Sequence, residues 1–257
     1  MICIWCKQDF TKLSKEHAIP HALGCPEDLI LANVACMKCN TELGRKVDAA
    51  LVKQFEVLTV FYGVRRKNGR QPTIASWSAL ASEHTVDGHS IYLNGGPGTI
   101  EKVGKKLHPA HKSNGITNTW VKKEGGRLGI GFDQAFGDDP AFLPALFKIG
   151  LNLVAKFFGP EVAASSDYDH IRAFVRMEKD ALTLTVAMDF TDGMKKGTGA
   201  PRPFTKVGRA YPMFKVEILG VFFLIDVSPE QSMLRDLRGA ATLMDQPFYV
   251  FPTIARN

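Results

Sequence analysis

The sequence predicts an α+β protein in which a small cysteine-bearing module, residues 1–62, precedes a larger mixed domain, residues 63–257. Three observations lead to this expectation. Two C-x-x-C pairs lie close to the start of the chain. Apolar residues then recur at every third or fourth position between residues 43 and 61, as in a helix. The remaining chain mixes alternating, strand-like stretches with helical patterns, without internal repeats or low-complexity tracts.

The composition is that of an ordinary globular protein. Of the 257 residues, 45% are hydrophobic and 23% are charged, which argues against a disordered, collagen-like or disulfide-stapled chain. No apolar run approaches the ~20 residues that a membrane-spanning helix requires. The first residues, MICIWCKQDF, hold two cysteines where a secretory signal has a basic start and an apolar stretch. We therefore expect no membrane partner, no export and a cytoplasmic location.

Four of the five cysteines belong to the two pairs. These four are Cys3, Cys6, Cys36 and Cys39. Two tight turns that present four thiolates form the ligand set of a tetrahedral structural zinc site. Disulfides are disfavoured by the odd number of cysteines and by the missing secretory signal. A thioredoxin-like redox pair is disfavoured because Cys3 precedes any first strand. We expect the fifth cysteine, Cys25, to be a small packing residue rather than a nucleophile.

The segment between the two pairs carries polar residues that suit a catalytic site. Its pattern predicts, in order, a hairpin arm at residues 10–17, a loop at 20–28, a strand at 29–34 and a helix from about residue 37. This order brings Glu16, His17 and Asn40 towards one point. Carboxylate and carboxamide oxygens suit Mg²⁺ or Mn²⁺, and a neutral imidazole takes a proton from an attacking water. The grouping favours metal-assisted phosphodiester hydrolysis.

The motif order C-x-x-C, EH-x-I-P-x-x-L-G and N-x-x-C-x-x-C-N resembles the zinc-knuckle branch of the HNH endonucleases, which have the ββα-metal fold. The resemblance covers about residues 1–60. It implies that His17 is the general base and that Glu16 and Asn40 hold the catalytic Mg²⁺ or Mn²⁺. It also implies that Asn33 braces the loop that carries His17, and that the four paired cysteines bind a separate zinc.

Two positions depart from the family pattern. Gly24-Cys25 stands where many relatives have Gly-Gly, and Asn40 stands where others have His, a variant that favours Mg²⁺. Asp48 lies two helical turns beyond Asn40. It reaches the edge of the site or lies on the helix surface, and the surface is the favoured interpretation.

The net charge of +6 is concentrated in one segment. Residues 63–127 hold 11 basic and 4 acidic side chains and 10 of the 23 glycines, whereas the charges of residues 1–62 balance. A basic, glycine-rich segment is typical of a surface that contacts phosphates, and a solvated loop-rich surface explains the charge equally well. The residues expected to bind nucleic acid are Arg65, Arg66, Lys67, Arg70, Lys105 and Lys106.

Beyond residue 63 the chain carries no motif whose chemistry can be read. The helix begun near Met37 is expected to continue to Tyr62. A mostly buried helix is predicted between Asp138 and Pro160, where every face is apolar except a polar stripe. That stripe, Lys148, Asn152 and Lys156, faces a phosphate, an acidic neighbour or solvent, and solvent is favoured. Further elements are expected at residues 89–93, 117–121, 128–132, 168–177, 181–190, 213–217, 221–227 and 246–252.

Together these features predict a metal-dependent DNA endonuclease. One active site per chain makes nicking the default outcome, and the second domain is expected to select or hold the target. RNA is a compatible substrate because such a site needs no 2′-hydroxyl. The alternative is a zinc-bound nucleic-acid-binding or regulatory protein without cleavage. A third hypothesis is a ligand-sensing domain that gates the nuclease. The sequence predicts no oligomeric state.

Overall fold

The chain folds as two compact units with mixed helix and strand content. The computed structural model describes residues 1–64, 83–86, 89–92, 100–103, 106–109, 116–124, 127–134, 137, 139–190, 198–200, 203–243 and 250–251. The first unit combines Met1–Val52 with Asp139–Asn257, and the second is Lys53–Asp138. The N-terminal module and the chain from Asp139 onward therefore belong to one unit, a pairing that the sequence does not indicate. The α+β class is confirmed.

The first unit begins with an antiparallel hairpin. Strand β1, Ser14–His17, pairs with strand β2, Ile30–Ala35, so that His17 lies opposite Ile30 and Glu16 opposite Leu31. The register slips between Ser14 and Glu16, because β2 carries a bulge there. The connection contains short 3₁₀ turns at His21–Leu23 and Glu27–Leu29.

A helical segment follows the hairpin. It consists of helix α1, Met37–Leu43, a single π turn, Gly44–Asp48, and helix α2, Ala49–Gln54. Helix α1 is capped by Cys36, whose sulfur accepts a hydrogen bond from the amide of Cys39. Apolar residues at helical spacing are buried along it, among them Leu43, Val47 and Leu51. The strand–strand–helix order predicted for the module is confirmed.

The second unit contains the end of this helical segment and three hairpins. Helix α3 spans Glu56–Phe61. The antiparallel pairs are β3, Glu83–Val86, with β4, His89–Tyr92; β5, Ile100–Val103, with β6, Lys106–Pro109; and β7, Ile116–Glu124, with β8, Arg127–Gln134. The last pair is the hairpin expected at residues 117–132.

The first unit resumes with helices and a five-stranded antiparallel sheet. The helices are α4, Phe142–Phe158; α5, Pro160–Ala164; α6, Asp169–Val175; and α7, Ser232–Leu243. The strands are β9, Val186–Phe190; β10, Thr198–Gly199; β11, Met213–Ile218; β12, Val221–Asp226; and β13, Val250–Phe251. Their order in the sheet is β10-β11-β12-β9-β13.

Helix α4 lies against strand β12 at close range. A Cβ at Gly150 would come within 3.1 Å of methyl groups of Ile225 and Val227, so the absence of a side chain permits this approach. The apolar faces of α4, including Leu146, Phe147 and Leu153, are fully buried. The helix is therefore mostly buried, as its sequence predicts.

Two local features define the sheet and its last helix. Leu219 and Gly220 both have positive φ, 49° and 84°, as a two-residue type I′ turn between β11 and β12 requires. Buried Asp226 accepts hydrogen bonds from the amides of Met233 and Leu234, at 2.8 and 3.0 Å. It thereby satisfies free donors at the start of α7, a helix that the sequence analysis did not predict. Within the described part of the chain, no helix is long and apolar enough to cross a membrane.

Candidate functional site

The four paired cysteines meet in one cluster. Their sulfur atoms all lie within 4.8 Å of one another, and the Sγ atoms of Cys6 and Cys36 are 4.0 Å apart. Four sulfurs around a tetrahedral zinc, each ~2.3 Å from the ion, are separated by ~3.8 Å. The cluster therefore fits Zn²⁺, as the spacing predicts. All five cysteines are free thiols, and Cys25 lies outside the cluster.

Backbone hydrogen bonds shape the first cysteine turn. The amide of Lys7 donates to the carbonyl of Cys3 at 2.8 Å, and Lys7 has a left-handed φ of 57°. The amide of Cys36 donates to the Cys3 sulfur at 3.2 Å, and a hydrogen bond to the sulfur favours its thiolate form. The amide of Ile4 bonds the carbonyl of Val34 and so attaches this turn to β2.

The thiols influence one another strongly. The hydrogen bond from the Cys39 thiol, assisted by the amide of Cys36, lowers the pKa of Cys3 to about 4. The same contact raises the pKa of Cys39. Cys3 thus forms a thiolate readily, whereas burial and the neighbouring Cys3 raise the pKa values of Cys6 and Cys39. A divalent cation removes that obstacle, so zinc binding and thiol deprotonation are linked.

Two arginines hold the first cysteine turn: Arg172 lies in helix α6, and Arg176 directly follows that helix. Arg172, which is 3% exposed, donates to the carbonyls of Ile4 at 3.0 Å and Ala163 at 2.7 Å, and also to that of Ser165. Arg176 donates to the carbonyl of Trp5 at 2.5 Å. The first cysteine turn is therefore held in place by residues that lie far along the chain. The sequence signal was a pair of arginines four residues apart.

Asn40 on helix α1 contacts strand β1, the strand that ends in His17. His17 ends β1, is half-buried, and places its ring 5.3 Å from the ring of His21, edge to face. The Asn40 amide on α1 donates to the hydroxyl of Ser14 at 3.0 Å and to the carbonyl of Lys15 at 2.8 Å. The carboxamide therefore fastens the helix to the strand that ends in the proposed base.

Asn33 lies on the bulged stretch of β2. Its φ is 57°, and its side chain is exposed. The resemblance implies that Asn33 braces the loop that carries His17, and within the described part of the chain no side-chain hydrogen bond of Asn33 does so.

Glu16 points into the core. Successive residues of a strand face opposite sides, so Glu16 and His17 diverge although they are neighbours in sequence. The Glu16 side chain is 3% exposed and pairs with the ammonium of Lys148 on α4, which is 1% exposed. The Asn152 amide donates to the same Glu16 oxygen at 3.3 Å.

Asp48 completes this buried cluster. Its Oδ2 accepts from Lys148 at 3.0 Å, and its side chain is 19% exposed. Two buried acceptor oxygens, Oδ1 of Asp48 and Oδ1 of Asn152, have no hydrogen-bond partner in the described part of the chain. The expectation that Asp48 lies on the helix surface is wrong, because one ammonium draws both carboxylates inward.

The close contacts within this cluster shift the pKa values of Lys148 and Glu16. Burial alone would lower the pKa of Lys148, but attraction by Asp48 and Glu16 and its hydrogen bonds to them outweigh burial, and this pKa is raised. Burial raises the pKa of Glu16 against the opposing attraction of Lys148. Two carboxylates share one ammonium, so the second negative charge is only partly compensated.

The polar stripe of α4 was expected to face solvent, and for two of its members this is wrong. Lys148 and Asn152 are buried against Glu16, whereas Lys156 is exposed as expected. The acidic-neighbour interpretation is the correct one for Lys148. For the catalytic metal this has a direct consequence. Asn40 carries a carboxamide oxygen, a donor type that suits Mg²⁺, whereas the Glu16 carboxylate is engaged by Lys148 and Asn152 and does not fit a ligand role in this arrangement.

The predicted nucleic-acid-binding residues fall largely outside the described chain. Arg65, Arg66, Lys67, Arg70 and Lys105 lie outside the described residues, and Lys106 is the first residue of β6.

The N-terminal module is a strand–strand–helix unit with a four-cysteine centre and a histidine at the end of its first strand. Residues 3–56 match the family model described as HNH endonuclease. The N-terminal module thus matches the zinc-knuckle branch of that family, which supports a nuclease-like function in general. Searches of curated proteins and of solved structures gave no significant match.

Proposed function

We propose that this protein is a metal-dependent endonuclease that hydrolyses phosphodiester bonds in DNA. The observation that carries the proposal is the position of the family match. Residues 3–56 include the four-cysteine centre, the hairpin that ends in His17 and the helix that carries Asn40. The zinc is structural in this proposal, because cysteine sulfurs take all four of its positions.

In the proposed mechanism His17 accepts a proton from the water that attacks the scissile phosphate. Asn40 has two tasks: its NH₂ group holds α1 against β1, and its Oδ1 would hold a Mg²⁺ or Mn²⁺ ion as a hard oxygen ligand. Such a cation would supply neutralisation of the phosphate and of the leaving oxygen.

The other two predicted site residues enter the proposal differently. Glu16 is paired with Lys148 and Asn152, so no metal-binding role is assigned to it in this proposal. Asn33 acts through the backbone bulge of β2, which sets the course of the chain opposite β1, rather than through a side-chain hydrogen bond.

The substrate assignment rests on the family match of residues 3–56 and on the basic charge of residues 63–127. We propose DNA as the substrate, and the cleavage experiment also tests RNA. The basic segment at residues 63–127 would hold phosphates without reading sequence, so binding should weaken steeply with salt. One site per chain makes nicking the expected product, and a cytoplasmic location stays a prediction from sequence.

The test is cleavage of supercoiled plasmid and of matched RNA, with Mg²⁺, Mn²⁺ or EDTA. Wild type is compared with His17→Ala and with the control His21→Ala, which alters the neighbouring ring. Zinc content and circular dichroism verify that each variant is folded. We expect metal-dependent nicking that His17→Ala abolishes and His21→Ala retains.

Two outcomes contradict the proposal. Cutting that persists in His17→Ala excludes this histidine as the base. If neither substrate is cut with any metal, the alternative is favoured, namely a zinc-bound nucleic-acid-binding protein without cleavage. The structural observation that supports this alternative is the pairing of Glu16 with Lys148.

A further inference from the structure

The first cysteine turn, residues 3–7, is held by two arginines that are far away in sequence. The carbonyl of Ile4 accepts a hydrogen bond from Arg172 at 3.0 Å, and the carbonyl of Trp5 accepts one from Arg176 at 2.5 Å. Ile4 and Trp5 are 0% and 1% exposed. Because buried carbonyls require a partner, the two guanidinium groups fix two successive peptide units between the cysteines of this turn.

An ion-pair network adds a third contact to the same turn. The Asp169 carboxylate accepts hydrogen bonds from the Lys7 ammonium at 2.9 and 3.0 Å and from Nε of Arg172 at 2.9 Å. Asp169 is the first residue of α6. It therefore joins the last residue of the turn to the guanidinium that holds its middle. The α6 segment, residues 169–176, thus contacts every residue of the turn that is not a cysteine.

The second cysteine pair is shaped by its own helix. The sulfur of Cys36 accepts from the Cys39 amide at 3.4 Å, and the carbonyl of Cys36 accepts from the Asn40 amide at 2.9 Å. These hydrogen bonds belong to the start of α1 and are local in sequence. The first cysteine turn lies outside the helices, so the placement of its sulfurs depends more on partners from elsewhere in the fold.

We propose that Arg172 and Arg176 are positioning residues of the zinc centre, and that the α6 segment thereby raises the affinity of the four cysteines for Zn²⁺. Two of the four clustered sulfurs belong to the turn that the arginines hold. Groups that orient metal ligands change metal affinity by about 10–100-fold. The N-terminal module therefore contains all four zinc ligands, but the groups that orient two of them come from residues 169–176.

The charge of the centre gives a second reason for this arrangement. Four thiolates around one divalent cation leave an excess of two negative charges. Arg172 is 3% exposed, so water and salt screen its positive charge weakly. A cation held against the cysteine turn favours the thiolate form that binds zinc.

The experiment measures the Zn²⁺ affinity of the full-length protein by competition with a chromogenic chelator. Arg176 is the position to change, because Arg172 also bonds the carbonyls of Ala163 and Ser165. We expect Arg176→Met to weaken Zn²⁺ binding by about tenfold or more. Arg176→Lys should recover most of the affinity, since an ammonium still donates to a single carbonyl and keeps the charge.

The matched control is Arg209→Met. Arg176 and Arg209 are each 39% exposed, and both are ion-paired, but the partner of Arg209 is Asp236 on α7. We expect this variant to keep the Zn²⁺ affinity of wild type. If Arg176→Met lowers the stability of the zinc-loaded and the zinc-free protein equally and leaves Zn²⁺ affinity unchanged, its role is merely structural and the proposal is overturned.

A second measurement uses the unmodified chain, so that a folding defect of a variant leaves the question testable. Linkage requires that removal of zinc loosens the α6 segment to the degree that the segment tightens zinc binding. Hydrogen exchange is compared in zinc-loaded and chelator-treated protein for amides of α6 and of β11. We expect removal of zinc to accelerate exchange in α6 by about tenfold more than in β11. Equal acceleration in both elements, or none in α6, overturns the proposal.

The outcomes are independent of the proposed nuclease, because neither measurement involves cleavage. Unchanged Zn²⁺ affinity in Arg176→Met, together with metal-dependent nicking that requires His17, overturns this inference and leaves the nuclease intact. Weakened Zn²⁺ binding in Arg176→Met, without cleavage of any substrate by wild type, supports this inference and contradicts the nuclease.

Discussion

Lys148 and Glu16 form a buried ion pair that joins helix α4 to strand β1. The two side chains are 1% and 3% exposed, and 132 residues separate them along the chain. Buried pairs contribute little when compared with apolar replacements of both partners, but removal of one partner leaves an unpaired charge in a dry site. The pair is therefore a point at which a single substitution has a large effect on stability.

Substitution of Lys148 should destabilise the protein strongly. We expect Lys148→Met to lower the free energy of unfolding by about 3–5 kcal/mol, measured by urea denaturation. Adding Glu16→Gln should recover part of this loss, because it removes one of the two uncompensated carboxylates. Lys156→Met, on the exposed side of the same helix, should stay within about 0.5 kcal/mol of wild type. Strict additivity of the two core substitutions would contradict direct coupling.

Zinc content should depend on the four clustered cysteines and not on the fifth. Cys36→Ser removes one of four sulfurs that lie within 4.8 Å of one another, so we expect it to reduce bound zinc well below one ion per chain and to lower the melting temperature. Cys25→Ser is the matched control and should retain one zinc, measured by mass spectrometry of the metal. Equal loss of zinc in both variants would exclude this cluster as the binding site.

Arg172 should be irreplaceable by lysine. Its guanidinium donates hydrogen bonds to the carbonyls of Ile4, Ala163 and Ser165. The ammonium of a lysine cannot reproduce that planar set of donors. Buried carbonyls left without donors cost about 1–3 kcal/mol each. We therefore expect Arg172→Lys to destabilise by at least about 2 kcal/mol in urea denaturation. Arg238→Lys, on the exposed part of α7, is the control, and an equally small effect in both would contradict this account.

The sequence predicts the N-terminal module well because its determinants are local. The two cysteines of each C-x-x-C pair are separated by only two residues. The apolar spacing that predicts the helix after Cys39 likewise involves residues that are close in sequence. The Leu219-Gly220 turn is local in the same sense. These features follow from a few neighbouring residues, so a single sequence suffices to place them.

The environment of Glu16 is not predictable in this way. Its motif suggests a metal ligand, whereas its partner lies on a helix that is distant in sequence. The available signal was a lysine and an asparagine on an otherwise apolar helix, since a buried polar residue requires a partner. The partner's identity depends on tertiary packing, which pattern alone does not specify. Helix α7 was missed for a related reason: Asp226, which satisfies its first amides, precedes the helix by several residues.

Two glycines in helices should respond to alanine with opposite signs. At Gly150 a Cβ would meet methyl carbons of Ile225 and Val227 at 3.1 Å, so Gly150→Ala should destabilise by about 1–3 kcal/mol. At Gly239 in α7 a Cβ meets nothing within 4 Å, so Gly239→Ala should stabilise by about 0.5–1 kcal/mol through helix propensity. Thermal unfolding of both variants decides this. Stabilisation by Gly150→Ala would show that α4 is less closely packed on β12 than the distances indicate.

Acid should destabilise the protein through His170. Burial lowers the pKa of His170 below its ordinary value, against the opposing hydrogen bond with the carbonyl of Val227 at 3.0 Å. Below about pH 6.5 the unfolded chain binds a proton that the folded imidazole resists. The contribution of this residue to stability is therefore complete above about pH 6.5 and is lost as the pH falls towards the lowered folded-state pKa.

The measurement is the free energy of unfolding in urea at several values between pH 5 and pH 8, for wild type and for His170→Gln. The glutamine keeps a donor for the Val227 carbonyl but does not titrate. We expect the stability of wild type to fall more steeply below about pH 6.5 than that of the variant, and the two curves to run parallel above it. Parallel curves over the whole range would mean that His170 takes up its proton equally in the folded and unfolded chain, and the acid sensitivity would then have to arise from other groups.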